Sequence, residues 1–194
     1  MSPRFIVRSQ SPEHDVEEYA RKHGWSKVLD VAEDPASGEI RSIEWAMTGG
    51  AVLKFFEDDA TRCSYFFIEA EYSNLCLSMT RHAVHEITVY SRDELLRAFD
   101  ASPSHTEERR KALLMVALGA PHEFDADVCH RINIAIHDQE PRTRSAAIYA
   151  MSYSPSSEYL PALRETAERD SDDHVRGDAQ EMLDVFGQVG IADS

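Results

Sequence analysis

Two stretches of the sequence decide how the second half of the chain folds: HDQEPRTRSAAIYAM at residues 137–151 and RDSDDHVRGDAQEML at residues 169–183. They align at a constant offset of 32 residues and share the pattern D-x5-R-x2-A-x3-L/M. The matched pairs are Asp138 and Asp170, Arg144 and Arg176, Ala147 and Ala179, and Met151 and Leu183. One helical hairpin cannot bury its apolar face alone, so such repeats predict stacked hairpins.

This pattern resembles the short HEAT-like repeats of the PBS-lyase type, and YLPALRETAERD (159–170) resembles the second helix of one such repeat. The resemblance covers Glu107 to about Gly187 and implies a helical-hairpin stack. A looser copy, ERRKALLMV, places Arg109 in the role of the repeated arginine, as a first repeat or as a cap. Some proteins of this type act on bilin chromophores. This chain has too few repeats for that role, so we do not expect it here.

Apolar residues at helical spacing predict about five helices in a HEAT-like domain over residues 104–190. Their expected ranges are 106–118, 124–137, 141–152, 157–169 and 173–186. Strand patterns occur before the stretch ASPSH and only helical patterns follow it, so ASPSH is the expected linker between the two domains.

The first hundred residues predict an antiparallel sheet with flanking helices. A strand at RFIVR precedes a helix that begins at Pro12 and ends at Gly24, and EIRSIEWAM and AVLKFF form a hairpin around Gly49 and Gly50. CSYFFIEAEY, NLCLSMT and HEITVY are expected as further strands, and SRDELLRAF as a short helix. The predicted class is therefore α+β, with an α+β domain over residues 1–100 followed by the all-α stack.

The chain is acidic, with 35 aspartates and glutamates against 20 lysines and arginines and a formal charge of −15. Nucleic acids and anionic membranes bind through clustered basic side chains, so neither is an expected partner. A basic protein partner fits the charge. The three cysteines form no CxxC pair, and no apolar run is long enough to span a membrane, so we expect a cytoplasmic protein.

Three clusters of potential metal ligands each have a simpler explanation. They are His82, His85 and Glu86; Asp125, Asp127 and His130; and Asp170, Asp172 and Asp173. The first lies in a predicted strand or loop, where residues three apart point to opposite faces. The second lies at the start of a predicted helix, where acidic side chains complement the helix dipole. In the third, Asp172 or Asp173 is expected to cap the helix that follows.

Catalytic motifs such as G-x-S-x-G are absent, and Cys63, Cys76 and Cys129 are interpreted as small core residues. The sequence therefore predicts no catalytic residue, no metal and no cofactor.

The leading functional hypothesis is a non-enzymatic protein-binding module, more specifically an inhibitor or immunity-type protein that neutralises a partner. The candidate partner-binding residues, on helices that would line a concave face, are His130, Arg131, His137, Tyr159, Arg164 and Glu168. The alternative is a ligand-binding protein or enzyme with a site in the aromatic-rich sheet. Its candidate lining residues are Trp45, Phe55, Tyr65, Phe67 and Tyr72.

Overall fold

Two units make up the chain in the computed structural model, which describes residues 2–121 and 123–191. Unit 1 comprises Met1–Ser91 and unit 2 comprises Arg92–Ser194. Within the described residues, unit 1 holds an antiparallel sheet and two helices, and unit 2 holds six helices. The predicted α+β class, a sheet domain followed by a helical stack, is confirmed.

The strands of unit 1 form one antiparallel sheet in the order β1-β5-β4-β3-β2. They are β1 (Phe5–Ile6), β2 (Ser26–Val31), β3 (Ser42–Ala46), β4 (Val52–Asp58) and β5 (Cys63–Glu69). The predicted hairpin is confirmed, because β3 pairs with β4 across a 3-10 turn at Thr48–Gly50. Gly49 and Gly50 there take φ angles of 74° and 79°, which residues with a Cβ rarely adopt.

One face of the sheet carries the core of unit 1. Helix α1 (Pro12–Lys22) packs its Val16, Tyr19 and Ala20 into this core, and helix α2 (Ser73–Glu86) adds Ala83. The buried sheet side chains are Ile43, Trp45, Leu53, Phe55, Phe66 and Ile68. The alternation in EIRSIEWAM therefore predicts the buried side of β3 correctly.

The prediction of strands at NLCLSMT and HEITVY is wrong. The first stretch lies in α2, and of the second, Val89 forms an isolated bridge with Val7. Short apolar runs fit a strand and a buried helix about equally well, which explains the error. The expectation also missed β2, whose residues are exposed except for a partly buried Val31. An exposed edge strand lacks the alternation that marks a half-buried one.

Unit 2 is built from three helical hairpins. They are α3 (Arg92–Ala101) with α4 (Glu107–Leu118), α5 (Ala126–Ile136) with α6 (Pro141–Tyr153), and α7 (Leu160–Arg169) with α8 (Asp173–Gln188). Helices α4, α6 and α8 contact one another in succession, and α3, α5 and α7 each pack against their own partner. The five predicted helices are present. The sequence-based prediction groups α3 with the sheet, whereas the structure packs it on α4 as part of the first hairpin.

In each hairpin, the repeated arginine of the second helix donates hydrogen bonds to backbone carbonyls at the end of the first helix. Arg144 of α6 donates to the backbone carbonyls of Asp138 and Gln139 at 2.9 and 3.1 Å, just beyond the end of α5. Arg176 of α8 donates to the carbonyl of Asp170 at 2.7 Å, at the end of α7. Carbonyls at a helix C-terminus have no partner within the helix, so the guanidinium groups satisfy them.

The first hairpin uses the same device. Arg109 of α4 donates to the carbonyls of Phe99 and Ser102 at 3.2 and 2.9 Å, at the end of α3. Its guanidinium also lies 4.1 Å from the centre of the Phe99 ring. The looser copy in the sequence is therefore a hairpin with the same arginine contact as the other two.

Arg144 also joins the second hairpin to the third. Its guanidinium donates two hydrogen bonds, each 2.7 Å long, to the two carboxylate oxygens of Asp170. Both side chains are at most 10% exposed. Asp170 accepts a further bond from the backbone N–H of Asp172 at 2.9 Å, and the neighbouring guanidinium lowers the pKa of the Asp170 carboxyl. The pair is buried, bidentate and fully hydrogen-bonded, the geometry in which such pairs are strongest.

We expect Arg144→Ala to lower the free energy of unfolding by about 3 kcal/mol, because it leaves the buried carboxylate of Asp170 without its charged partner. Arg176→Ala should lower it by about 1 kcal/mol, the loss of one net hydrogen bond at a partly exposed side chain. Chemical denaturation measures both values. The matched control is Arg142→Ala, an exposed arginine of the same helix α6. Equal losses for Arg142 and Arg144 would contradict this account of the joint.

The pH dependence of stability should reveal the same pair. Because folding lowers the pKa of Asp170 below its unfolded value of about 3.9, the pair stabilises the fold above that pH. The stabilisation is lost as the pH falls through the lowered pKa. The difference in unfolding free energy between the wild type and Asp170→Asn should therefore be constant above about pH 5 and shrink below about pH 4. A difference that persists undiminished in acid would show that Asp170 acts without its charge.

Candidate functional site

Ion pairs connect helices α3 and α5 across neighbouring hairpins of unit 2. Arg92 donates to both carboxylate oxygens of Asp125 at 2.6 Å and to Asp127 at 2.6 Å. Arg131 donates to the carboxylate of Asp100 at 3.0 and 2.5 Å. The guanidinium of Arg131, a predicted partner-binding residue, is therefore already engaged within the stack.

Four of the six predicted partner-binding residues lie on the exposed surface of two contacting helices. His130 is exposed on α5 and His137 caps its C-terminal end, while Arg164 and Glu168 are exposed on α7. Ile134, also on α5, leaves 45% of its surface exposed. These residues form the candidate binding surface of unit 2, which we call the α5–α7 surface.

Tyr159 does not contribute to this surface. It is 2% exposed, in a 3-10 turn at Ser157–Tyr159 that precedes α7. Its hydroxyl forms a hydrogen bond with the thiol of Cys129, and burial raises the pKa of both groups. Tyr159 is a core residue, and a buried thiol with a raised pKa is a poor nucleophile, in agreement with the core role predicted for Cys129.

The exposed charges of unit 2 are unbalanced. Among its described residues, twelve exposed residues are acidic and six are basic. The remaining basic residues are Arg109, Arg110, Arg131, Arg144 and Arg176, all half-buried or buried. Four of them are the arginines that hold helices together, and at the exposed surface acidic residues outnumber basic ones by two to one.

The aromatic residues of the alternative hypothesis do not form one pocket. Trp45 and Phe55 are buried in the core, at 2% and 0% exposure. Tyr65 and Phe67 lie on the opposite face of the sheet, as strand alternation requires, and stack with Phe56 at centroid distances of 5.5 and 5.7 Å. Tyr72 precedes α2 and is exposed. The structure therefore divides this set among three environments.

Two of the acidic clusters supply helix N-caps, as predicted for Asp172 or Asp173, whereas for Asp125 only an interaction with the helix dipole was predicted. The carboxylate of Asp125 accepts hydrogen bonds from the backbone N–H groups of Asp127 and Val128, at the start of α5. Asp172 does the same for His174 and Val175 at the start of α8. These bonds satisfy N–H groups that have no partner within the helix.

The histidine cluster differs from its prediction. His82 and Glu86 lie in helix α2, not in a strand, so residues four apart share one face. His23, the C-cap residue of α1, joins them, whereas His85 does not. Among the described residues, His23, His82 and Glu86 are the group whose potential ligand atoms all lie within 4.8 Å of one another. Sequence reasoning missed His23, because it is distant from His82 and Glu86 in the chain.

Comparison of the chain with family models, curated proteins and solved structures found no match. Among the described residues, no helix is both long and apolar enough to cross a membrane.

The different placements of Tyr159 and His130 lead to opposite expectations. Tyr159→Ala should lower the free energy of unfolding by about 3–5 kcal/mol, since it empties a buried aromatic site. His130→Ala should change it by less than about 0.5 kcal/mol, because the side chain lies at the surface. Thermal and chemical denaturation measure both. A small effect at Tyr159 would contradict its place in the core.

Proposed function

We propose that the chain is a non-enzymatic protein-binding module that recognises a basic protein surface through unit 2. The observation that carries the proposal is the distribution of charge in the stack. The exposed surface is acidic by twelve residues to six among those described, and four of the less exposed arginines hold helices together. Opposite fields steer association and select against partners of the same sign.

The α5–α7 surface is the proposed contact region. It combines an exposed apolar side chain, Ile134, with the polar residues His130, His137, Arg164 and Glu168. An apolar centre with a polar rim is the usual composition of a protein interface. Arg131 and Tyr159 support this surface from within the stack and are not expected to contact the partner.

We further propose that the stack is of the HEAT-like kind and that binding neutralises the partner, as an inhibitor or immunity-type protein does. The repeated arginine joints support the first part, since three hairpins share one contact pattern. The dispersal of the sheet aromatics removes the support for a pocket of Trp45, Phe55, Tyr65, Phe67 and Tyr72. A cytoplasmic location is consistent with three free cysteines.

Charge reversal on α7 tests the proposal. Glu165→Lys combined with Glu168→Lys should reduce recovery of the partner in affinity capture from the source cell at least fivefold, because Glu168 lies in the contact region and Glu165 is an exposed acid of the same helix. Wild-type recovery should fall as the salt concentration rises, since surface charges are screened.

The matched control is Asp59→Lys combined with Glu71→Lys, two exposed acids of unit 1 that change the net charge by the same amount. It should recover the partner as the wild type does. Equal recovery by the α7 variant, or recovery that salt does not affect, would refute the proposed surface.

A further inference from the structure

We propose that His23, His82 and Glu86 form a binding site for a divalent transition metal, with Zn²⁺ as the ion that the donor set fits best. Two imidazoles and one carboxylate are an established zinc donor set that leaves a fourth position for water. Nitrogen donors favour such a metal over Mg²⁺ or Ca²⁺, which prefer oxygen. The proposal departs from the sequence-based expectation of no metal, which for these residues rested on placing His82 in a strand or loop.

The distances among the three side chains suit a small ion. Nε2 of His82 lies 3.5 Å from Oε1 of Glu86, and Nε2 of His23 lies 4.0 Å from the same oxygen. Ligands about 2.0–2.1 Å from a tetrahedral zinc lie roughly 3.3 Å from one another. Shortening these two distances by less than about 1 Å would bring each imidazole nitrogen to that spacing from the Glu86 oxygen. The potential ligand atoms of all three side chains lie within 4.8 Å of one another.

An unsatisfied nitrogen points to a ligand independently of those distances. Nε2 of His23 is buried and has no hydrogen-bond partner among the described residues. A buried polar atom without a partner is unfavourable, and native structures rarely retain one without a reason. A metal bound to this nitrogen would satisfy its lone pair.

Neighbouring aromatic side chains hold the two imidazoles in place. The hydroxyl of Tyr19 lies 2.8 Å from Nδ1 of His82, which leaves Nε2 of that ring directed toward Glu86. The ring of His23 stacks on Trp25 with centroids 5.0 Å apart. Histidines that bind metals usually donate their second ring N–H to an oxygen, which selects the tautomer that can coordinate. Tyr19 supplies such an oxygen.

The backbone favours a cation at this position. His23 caps the C-terminal end of α1, and Glu86 is the last residue of α2. Helix dipoles place partial negative charge at C-terminal ends, so both helices attract a positive ion. A bound ion would connect two helices that are distant in sequence, and it would stabilise unit 1.

Lys22 opposes the ion. Its Nζ lies 2.5 Å from Oε2 of Glu86, and this contact lowers the pKa of the Glu86 carboxyl. The ammonium therefore keeps the carboxylate charged but also repels a second cation. It occupies Oε2, and Oε1 remains directed toward the histidines.

Calorimetric titration of Zn²⁺ into the full chain, freed of metal by a chelator, tests the site. The wild type should bind one ion per chain, and His23→Gln and His82→Gln should each weaken binding at least tenfold. Lys22→Gln should strengthen binding several-fold, because it removes the competing ammonium. The melting temperature of the wild type should rise with Zn²⁺, whereas that of His23→Gln should not.

His85→Gln is the matched control, an exposed histidine of the same helix that lies outside the cluster, and its affinity should equal that of the wild type. Circular dichroism in the presence of chelator checks that each variant is folded. Wild-type affinity in both His23→Gln and His82→Gln would overturn the proposal, as would weaker binding by folded Lys22→Gln. If a histidine variant does not fold, Lys22→Gln still tests the site: stronger Zn²⁺ binding supports the proposal and weaker binding contradicts it.

Discussion

The bidentate contact between Arg144 and Asp170 is the interaction on which the arrangement of unit 2 depends. One guanidinium donates to the carbonyls of Asp138 and Gln139, just beyond the end of α5, and also to the carboxylate of Asp170, which follows α7. A single side chain thereby closes one hairpin and fastens the next to it. Breaking such a buried pair leaves a charge without a partner, which is more unfavourable than losing an ordinary surface contact. Arg109 and Arg176 donate to carbonyls at the ends of α3 and α7 in the same way and so close the other two hairpins.

The surface of unit 2 is acidic. Among its described residues, twelve exposed residues are acidic and six are basic, while four of its less exposed arginines hold helices together. Charge on this scale changes association rates and partner choice more than it changes the fold. The proposed recognition of a basic partner rests on this excess of exposed acids. In unit 1 the comparable junction is the meeting of two helix C-terminal ends at His23 and Glu86.

Repetition made unit 2 predictable, and its absence limited prediction in unit 1. The offset of 32 residues identified Arg144, Asp170 and Arg176 before any contact was known. Local patterns could not separate a strand from a helix at residues 73–86, where Thr80 and Ala83 are the buried residues of α2. That error hid the shared face of His82 and Glu86. His23 comes close to His82 and Glu86 only through tertiary packing. The burial of Tyr159 likewise depends on tertiary packing, and neither feature leaves a periodic signal in the sequence.

A double-mutant cycle between Arg144 and Asp170 is the most direct test of the central claim, that this pair couples two hairpins of the stack. The unfolding free energies of the wild type, Arg144→Ala, Asp170→Ala and the double variant give the coupling energy without the contributions of either residue elsewhere. The account predicts a coupling of about 2–3 kcal/mol at neutral pH, in the upper range for residues in contact. Additive losses, with a coupling near zero, would contradict it.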